Sequence, residues 1–154
     1  MSFTINRLTK ELAKLQTDAD KLDGIFIETP TNLLVWHAKI TGPPDTPYEE
    51  GVFDMQLNFD DDYPKKPPSV KFLTPMYHPN IYRDGKICVD ILQSHEWTPA
   101  QNIRTILLSI TSLLMDPNPS SPANREAAEL YNKSKTEYGA KVKEFIKANQ
   151  KKTT

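Results

Sequence analysis

Apolar side chains follow two rhythms along this chain, one helical and one extended, and the change from one to the other organises it. Ile5, Leu8, Leu12 and Leu15 recur every three or four positions with Arg7, Lys10 and Lys14 between them, which predicts an amphipathic helix from about Phe3 to Gln16 with a basic outer face. From Gly24 the period becomes two. Leu34, Trp36, Ala38 and Ile40 share one face, and Phe53, Met55, Leu57 and Phe59 alternate with Asp54, Gln56 and Asn58, the pattern of half-buried strands. Gly42-Pro-Pro-Asp-Thr-Pro47 and Asp60-Asp-Asp-Tyr-Pro64 are too short to hold crossover helices. An antiparallel meander is therefore expected, with Ile25 to Glu28 and Ser69 to Leu73 as outer strands. Pro64, Pro67, Pro68, Pro75 and Pro79 then deny regular ladders, and a long irregular loop of this kind is often functional.

Helical spacing returns at Ile103, Ile106, Leu107, Ile110, Leu113 and Leu114, predicting a buried helix from Asn102 to Met115. Its start is open by a turn, between a capping box at Thr98 to Gln101 and an N-cap at Asn102. Asp116-Pro-Asn-Pro119 ends it. Ser121 with Pro122 behind it reads as the N-cap and first position of a helix to about Tyr131. Ser134 with Glu137 starts the last helix, anchored by Tyr138, Val142, Phe145 and Ile146. Gly139 inside that helix costs about 1 kcal/mol relative to alanine, so packing must hold it. Lys147 to Thr154 reads as a frayed tail. Helix, meander, loop and three helices make an α+β domain with its helices around one sheet.

Composition narrows the function without choosing it. The 154 residues fit a single domain, 1–154, long enough to bury a core without disulfides or a structural metal. No apolar run approaches a membrane span and no secretory leader is read, so a membrane partner is not expected. A net charge of −1 gives no general attraction to nucleic acid or anionic lipid; direct nucleic-acid binding is not expected, and the expected partners are proteins. The single cysteine, Cys88, cannot form an internal disulfide, which fits a cytoplasmic or nuclear protein. Three histidines, at 37, 78 and 95, without paired cysteines make a poor zinc site, so no metal is expected.

The candidate chemistry lies between Thr74 and Trp97. His78-Pro79-Asn80 sets one tight turn, Asp84-Gly85 a second, and Ile87-Cys88-Val89 places the thiol directly after both. A lone cysteine is commonly an inert small hydrophobe, whereas a thiol beside turns and polar groups can be a nucleophile. His78 is the nearest base. A cysteine-protease arrangement would need it within hydrogen-bond reach of Cys88; otherwise it ties its own loop together.

These residues resemble a known family. Tyr77-His78-Pro79-Asn80-Ile81, Gly85-Lys86-Ile87-Cys88-Val89-Asp90-Ile91-Leu92 and Trp97-Thr98-Pro99 are similar to the active-site signature of ubiquitin-conjugating enzymes. Arg7 with Lys10-Glu11-Leu12, Gly42-Pro43 with Thr46-Pro47-Tyr48, Gly51-Val52-Phe53, Tyr63-Pro64 with Pro67-Pro68, and Asp116-Pro-Asn-Pro119 extend the resemblance from about residue 5 to 146. It implies one N-terminal helix, a four-stranded antiparallel meander, the active-site loop and three more helices, a catalytic core at about 3–148.

What the resemblance implies chemically is a carrier: Cys88 accepts ubiquitin as a thioester from an activating enzyme that uses ATP, with no cofactor bound to the carrier itself, and passes it to a substrate lysine. Asn80 is implied as the amide that stabilises the oxyanion or pins the loop; His78 is left a structural part of that loop. Tyr82, Asp90 and Ser121 are implied around the incoming lysine, Ser121 standing where many relatives carry aspartate and equally serving as an N-cap. Arg7, Lys10, Lys14, Lys65, Lys66, Thr98, Pro99 and Ala100 map onto the face that meets the activating enzyme and the ligase. Lys65 departs from the aromatic of broadly acting members, which points to a RING-type rather than a HECT-type ligase. Gln93-Ser-His-Glu96 is about one residue longer than the common loop, placing His95 and Glu96 near the thioester or in a solvated bulge. The SUMO carrier also has a longer loop there, so SUMO is the alternative modifier; a non-catalytic ubiquitin-binding partner is the third reading. Ser120-Ser-Pro-Ala-Asn-Arg-Glu-Ala-Ala is similar to the carriers linked to DNA repair and histone modification.

Overall fold

A computed structural model describes residues 2–17 and 22–150. Helix α1 (Phe3–Leu15) comes first, then strands β1 (Ile25–Ile27), β2 (Val35–Thr41), β3 (Val52–Asn58) and β4 (Ser69–Phe72). A long loop with one 3₁₀ turn at Asp90–Leu92 leads to helices α2 (Ile103–Met115), α3 (Arg125–Lys133) and α4 (Lys135–Asn149). The strands form one antiparallel sheet in the order β1-β2-β3-β4, as the meander requires. Trp36 lies opposite Leu57, Ala38 opposite Met55 and Ile40 opposite Phe53. Every one of these six is buried, so the period-two pattern of both strands turns a single apolar face inward. That face and the apolar stripe of α2, from Ile103 through Ile106, Leu107 and Ile110 to Leu114, belong to one core cluster.

Several boundaries differ from the expectation. Leu34 and Phe59 fall just outside β2 and β3, joined instead by a backbone bond from Phe59 N to Leu34 O. Asn102 is the N-cap of α2 and forms a capping box with Thr105, while Gln101 N closes a turn onto Thr98 O. The Thr98 alternative is thereby excluded. Ser121 is not a helix cap. Asn124 caps α3 by accepting from Ala127 N, because Ala123 N and Asn124 N are both held by Pro79 O and the chain cannot turn helical before them. Helix α4 persists to Asn149, so Lys147 is helical; the end of the expected tail, 151–154, lies outside the described residues.

Gly139 is set against Pro47, whose Cβ would stand 3.8 Å from an added methyl, an ordinary contact. Alanine should therefore keep the packing and recover helix propensity. Gly139→Ala is expected to stabilise by about 0.5–1 kcal/mol, and urea unfolding read by circular dichroism would show its midpoint rising; a falling midpoint would mean that the helix cannot take a side chain there.

Candidate active site

The loop that carries the thiol is built on the His78-Pro79-Asn80 turn, and all three of these residues are buried. His78 fixes the turn from inside: its Nδ1 accepts from Asn80 N at 2.9 Å, which leaves Nε2 as the nitrogen that donates to Leu113 O at 2.8 Å. Both ring nitrogens are engaged, so no proton-accepting nitrogen faces Cys88, and the cysteine-protease arrangement is excluded. Burial holds the imidazole neutral, lowering its pKa from 6.5 to about 4 against the weaker opposing effect of the Leu113 carbonyl.

That lowered pKa makes stability depend on pH. Above pH 6.5 His78 is neutral folded or unfolded; between pH 6.5 and about 4 the unfolded chain takes up a proton that the folded one refuses. Stability should fall as pH drops through that window, by up to about 3 kcal/mol from this group. Denaturant midpoints across pH 4–7 should follow a one-proton slope; an equally steep slope in His78→Gln would assign it elsewhere.

Asn80 is a two-way clamp. Its side-chain Nδ2 donates to Asn118 O at 2.6 Å and its Oδ1 accepts from Asn118 N at 2.8 Å, while its backbone O accepts from Cys88 N at 2.8 Å. One residue thus joins the turn, the α2–α3 connection and the thiol-bearing segment. Pro79 O adds the bonds from Ala123 and Asn124. Ile81 and Ile87 form an isolated antiparallel bridge, and Lys86 bridges to Lys71 of β4, so segment 81–87 is a small hairpin laid on the sheet's edge. Cys88 leaves that hairpin half-buried, a free thiol.

Tyr82, Asp90 and Ser121 all present exposed side chains on segments tied to this turn. Tyr82 opens the hairpin turn with its N bonded to Lys86 O, Asp90 begins the 3₁₀ turn two residues past the thiol, and Ser121 lies between Asn118 and Ala123. His95 and Glu96 are exposed, 3.9 Å apart, in a turn whose Glu96 N and Trp97 N both bond to Gln93 O. Among the described residues no cluster of three or more His, Cys, Asp or Glu could hold a metal.

The expected partner face is contiguous, but its cations are not equivalent. Thr4 Oγ1 bonds to Asp61 O and Tyr63 O, and Trp97 Nε1 to Pro64 O, which joins the start of α1 to the loops at 61–66 and 97–101. Arg7, expected on the outer face, is turned inward: Nε donates to Glu11 Oε2 at 3.0 Å, and Nη2 donates to Pro99 O at 3.3 Å and Gln101 O at 2.9 Å. Lys10, Lys14, Lys65, Thr98, Pro99 and Ala100 are exposed. Lys66 is exposed too and pairs with Asp62 at 3.3 Å, a surface contact worth little.

Sequence reasoning missed Glu11 and Asn118. Glu11 Oε1 accepts from Ile103 N, the first amide of α2, while Oε2 takes Arg7 and the Tyr63 hydroxyl. An Arg7–Glu11 spacing of four was a visible signal for the first half of that network. Nothing local marks Asn118, which contributes its backbone.

Comparison with known proteins gives one family. The model described as ubiquitin-conjugating enzyme matches residues 7–146. The chain is 56% identical over 141 residues to ubiquitin-conjugating enzyme E2 2 of Candida glabrata, covering 91% of this chain and 83% of that one. It is 50% identical to ubiquitin-conjugating enzyme E2 2 of Saccharomyces cerevisiae, with 91% and 80% covered. To ubiquitin-conjugating enzyme E2 1 of Caenorhabditis elegans it is 47% identical, with 91% and 72% covered.

Proposed function

The chain belongs to the ubiquitin-conjugating enzyme family and is a ubiquitin transferase, and from that premise we propose that Cys88 is the thioester acceptor and the His78–Asn80 turn its support. The observation that carries this is the Cys88 backbone bonded to Asn80, whose side chain is itself clamped to Asn118. A rigid backbone on one side of a half-exposed thiol suits a group that must be reached by two bulky partners in turn.

In loading, the Cys88 thiolate attacks the carbonyl carbon of ubiquitin held as a thioester on the activating enzyme, and the other thiol leaves. The exchange replaces one thioester by another, so it needs no strong base and no cofactor on this chain; ATP acts upstream. In transfer, a deprotonated lysine amine attacks the same carbonyl, the C–N bond forms, the C–S bond breaks, and Cys88 departs as thiolate. Tyr82, Asp90 and Ser121 surround the amine as it loses its proton. His78 has no part in the proton transfers.

The ligase reading is RING type, with Lys10, Lys14, Lys65, Lys66 and Thr98 to Ala100 as the docking face and Arg7 holding that face together from beneath. The exposed lysines suit an acidic partner domain, and a cytoplasmic or nuclear setting suits the free thiol. A RING ligase requires that an amine attack the carrier's own thioester. Charged enzyme mixed with free lysine should therefore lose its ubiquitin without any ligase present; discharge to free cysteine alone would replace this reading with transfer through a ligase cysteine.

A further inference from the structure

Beside the hairpin that delivers Cys88 is a cleft of about 670 Å³ that the loading and transfer steps do not use, within the roughly 300–1,000 Å³ range of ligand-sized clefts. Its floor is apolar, with Met76, Ile81 and Phe145. Its rim is basic: Arg83 comes from the hairpin, Arg125 from the first turn of α3 and Lys141 from α4. All three cations are exposed, and none makes a side-chain hydrogen bond or ion pair among the described residues. The one carboxylate in the lining, Glu126, has Tyr77 Oη at 3.5 Å and none of the cations as its partner. The cleft lining therefore carries two net positive charges on a chain whose overall charge is −1.

Three uncommitted cations converging from three elements around an apolar floor fit a ligand with carboxylates on either side of an apolar side chain. We infer that this cleft seats an acidic, extended segment of a substrate protein, carboxylates against Arg83, Arg125 and Lys141 and one aromatic or branched aliphatic side chain on Met76, Ile81 and Phe145. Its position explains its use. Ile81 bridges to Ile87, next to Cys88, and Ala123 and Asn124 of the cleft wall bond to the catalytic turn at Pro79. A segment held there keeps a neighbouring lysine of the same substrate close to the thioester, which raises its effective concentration without any new catalytic group. The inference rests on Cys88 carrying the thioester, but binding to the cleft does not.

The test uses the full chain and a fluorescein-labelled eight-residue peptide of six glutamates around a central phenylalanine and leucine. Fluorescence anisotropy should show binding that weakens as salt is raised and falls about tenfold or more in the triple reversal Arg83→Glu, Arg125→Glu, Lys141→Glu. Lys141→Glu alone, on the exposed side of α4, should give a partial loss and guards against a misfolded triple variant. Ubiquitin loading at Cys88 should be unchanged in both. With a lysine added to the peptide, transfer from charged enzyme should exceed transfer to the same peptide carrying serines for glutamates, and the excess should vanish in the triple variant. No binding, binding indifferent to the reversal, or equal binding of a labelled oligonucleotide would overturn the inference. If the peptide binds as described but the enzyme never loads, the cleft stands as an acidic-peptide site and the reading of Cys88 fails instead.

Discussion

Asn80→Ala should lower thermal stability and slow lysine transfer together. The side chain makes two hydrogen bonds to the backbone of Asn118 from a position that is 1% exposed. Removing it takes away both partners of the Asn118 backbone at once, on a residue otherwise exposed. The expected cost is about 1–3 kcal/mol, or about 3–10 °C in melting temperature. The backbone bonds of residue 80 to His78 and Cys88 survive, so the thiol stays tethered and ubiquitin loading should change by only a few-fold. Transfer to lysine should fall about 100-fold, the usual scale for losing the group that supports a developing oxyanion. Asn80→Asp keeps the acceptor for Asn118 N but sets a carboxylate oxygen against Asn118 O at a buried position, so it should be at least as unstable as Asn80→Ala. Melting curves beside single-turnover discharge would read both effects. A slow but fully stable Asn80→Ala would mean that the amide acts on the reacting carbonyl alone and the clamp contributes nothing.

Gly85→Ala should be the most disruptive single methyl in the active-site loop. The residue has φ +94°, which L side chains rarely adopt, and an added Cβ would lie 2.0 Å from the Phe72 carbonyl oxygen. Rotation cannot relieve a Cβ clash with backbone. Strain and overpacking together should cost about 3–5 kcal/mol. Relief requires the turn to move off β4, breaking the bond from Phe72 N to Gly85 O and with it the hairpin that leads to Cys88. Loading and transfer should both fall, in contrast to Asn80→Ala. Lys86→Ala, one residue on and exposed, should stay within about 0.5 kcal/mol of wild type. A Gly85→Ala protein with unchanged melting and loading would show that the hairpin does not position the thiol.

Legibility in the sequence followed how local each cause is. The face shared by Trp36, Ala38 and Ile40 and the stripe from Ile103 to Leu114 were readable because burial imposes its period on neighbouring residues. The start of α3 was misread because Ser121-Pro122 is a good local signal, overruled by Pro79 some forty residues earlier in the chain, which holds Ala123 and Asn124. The 3₁₀ turn at Asp90–Leu92 is too short to carry any period. Spacing alone cannot show that Arg7 reaches the carbonyls of Pro99 and Gln101.

The candidate site divides the same way. Cys88 stands out as the only cysteine, and its turns are written in Pro79, Asn80 and Gly85. What holds those turns is non-local: Asn118 on Asn80, Leu113 on His78, Phe72 beside Gly85. The pairing of Tyr48 with Tyr138, whose hydroxyls meet beneath the loop 90 positions apart, had no signal at all.

The most direct test of Cys88 as the acceptor is a loading reaction with ATP, ubiquitin and an activating enzyme, read on a non-reducing gel with and without thiol. The enzyme should gain one ubiquitin in a band that thiol removes and that is absent in Cys88→Ala. Persistence of a thiol-sensitive adduct in Cys88→Ala, or failure of the wild-type chain to load while a control carrier loads, would contradict the account.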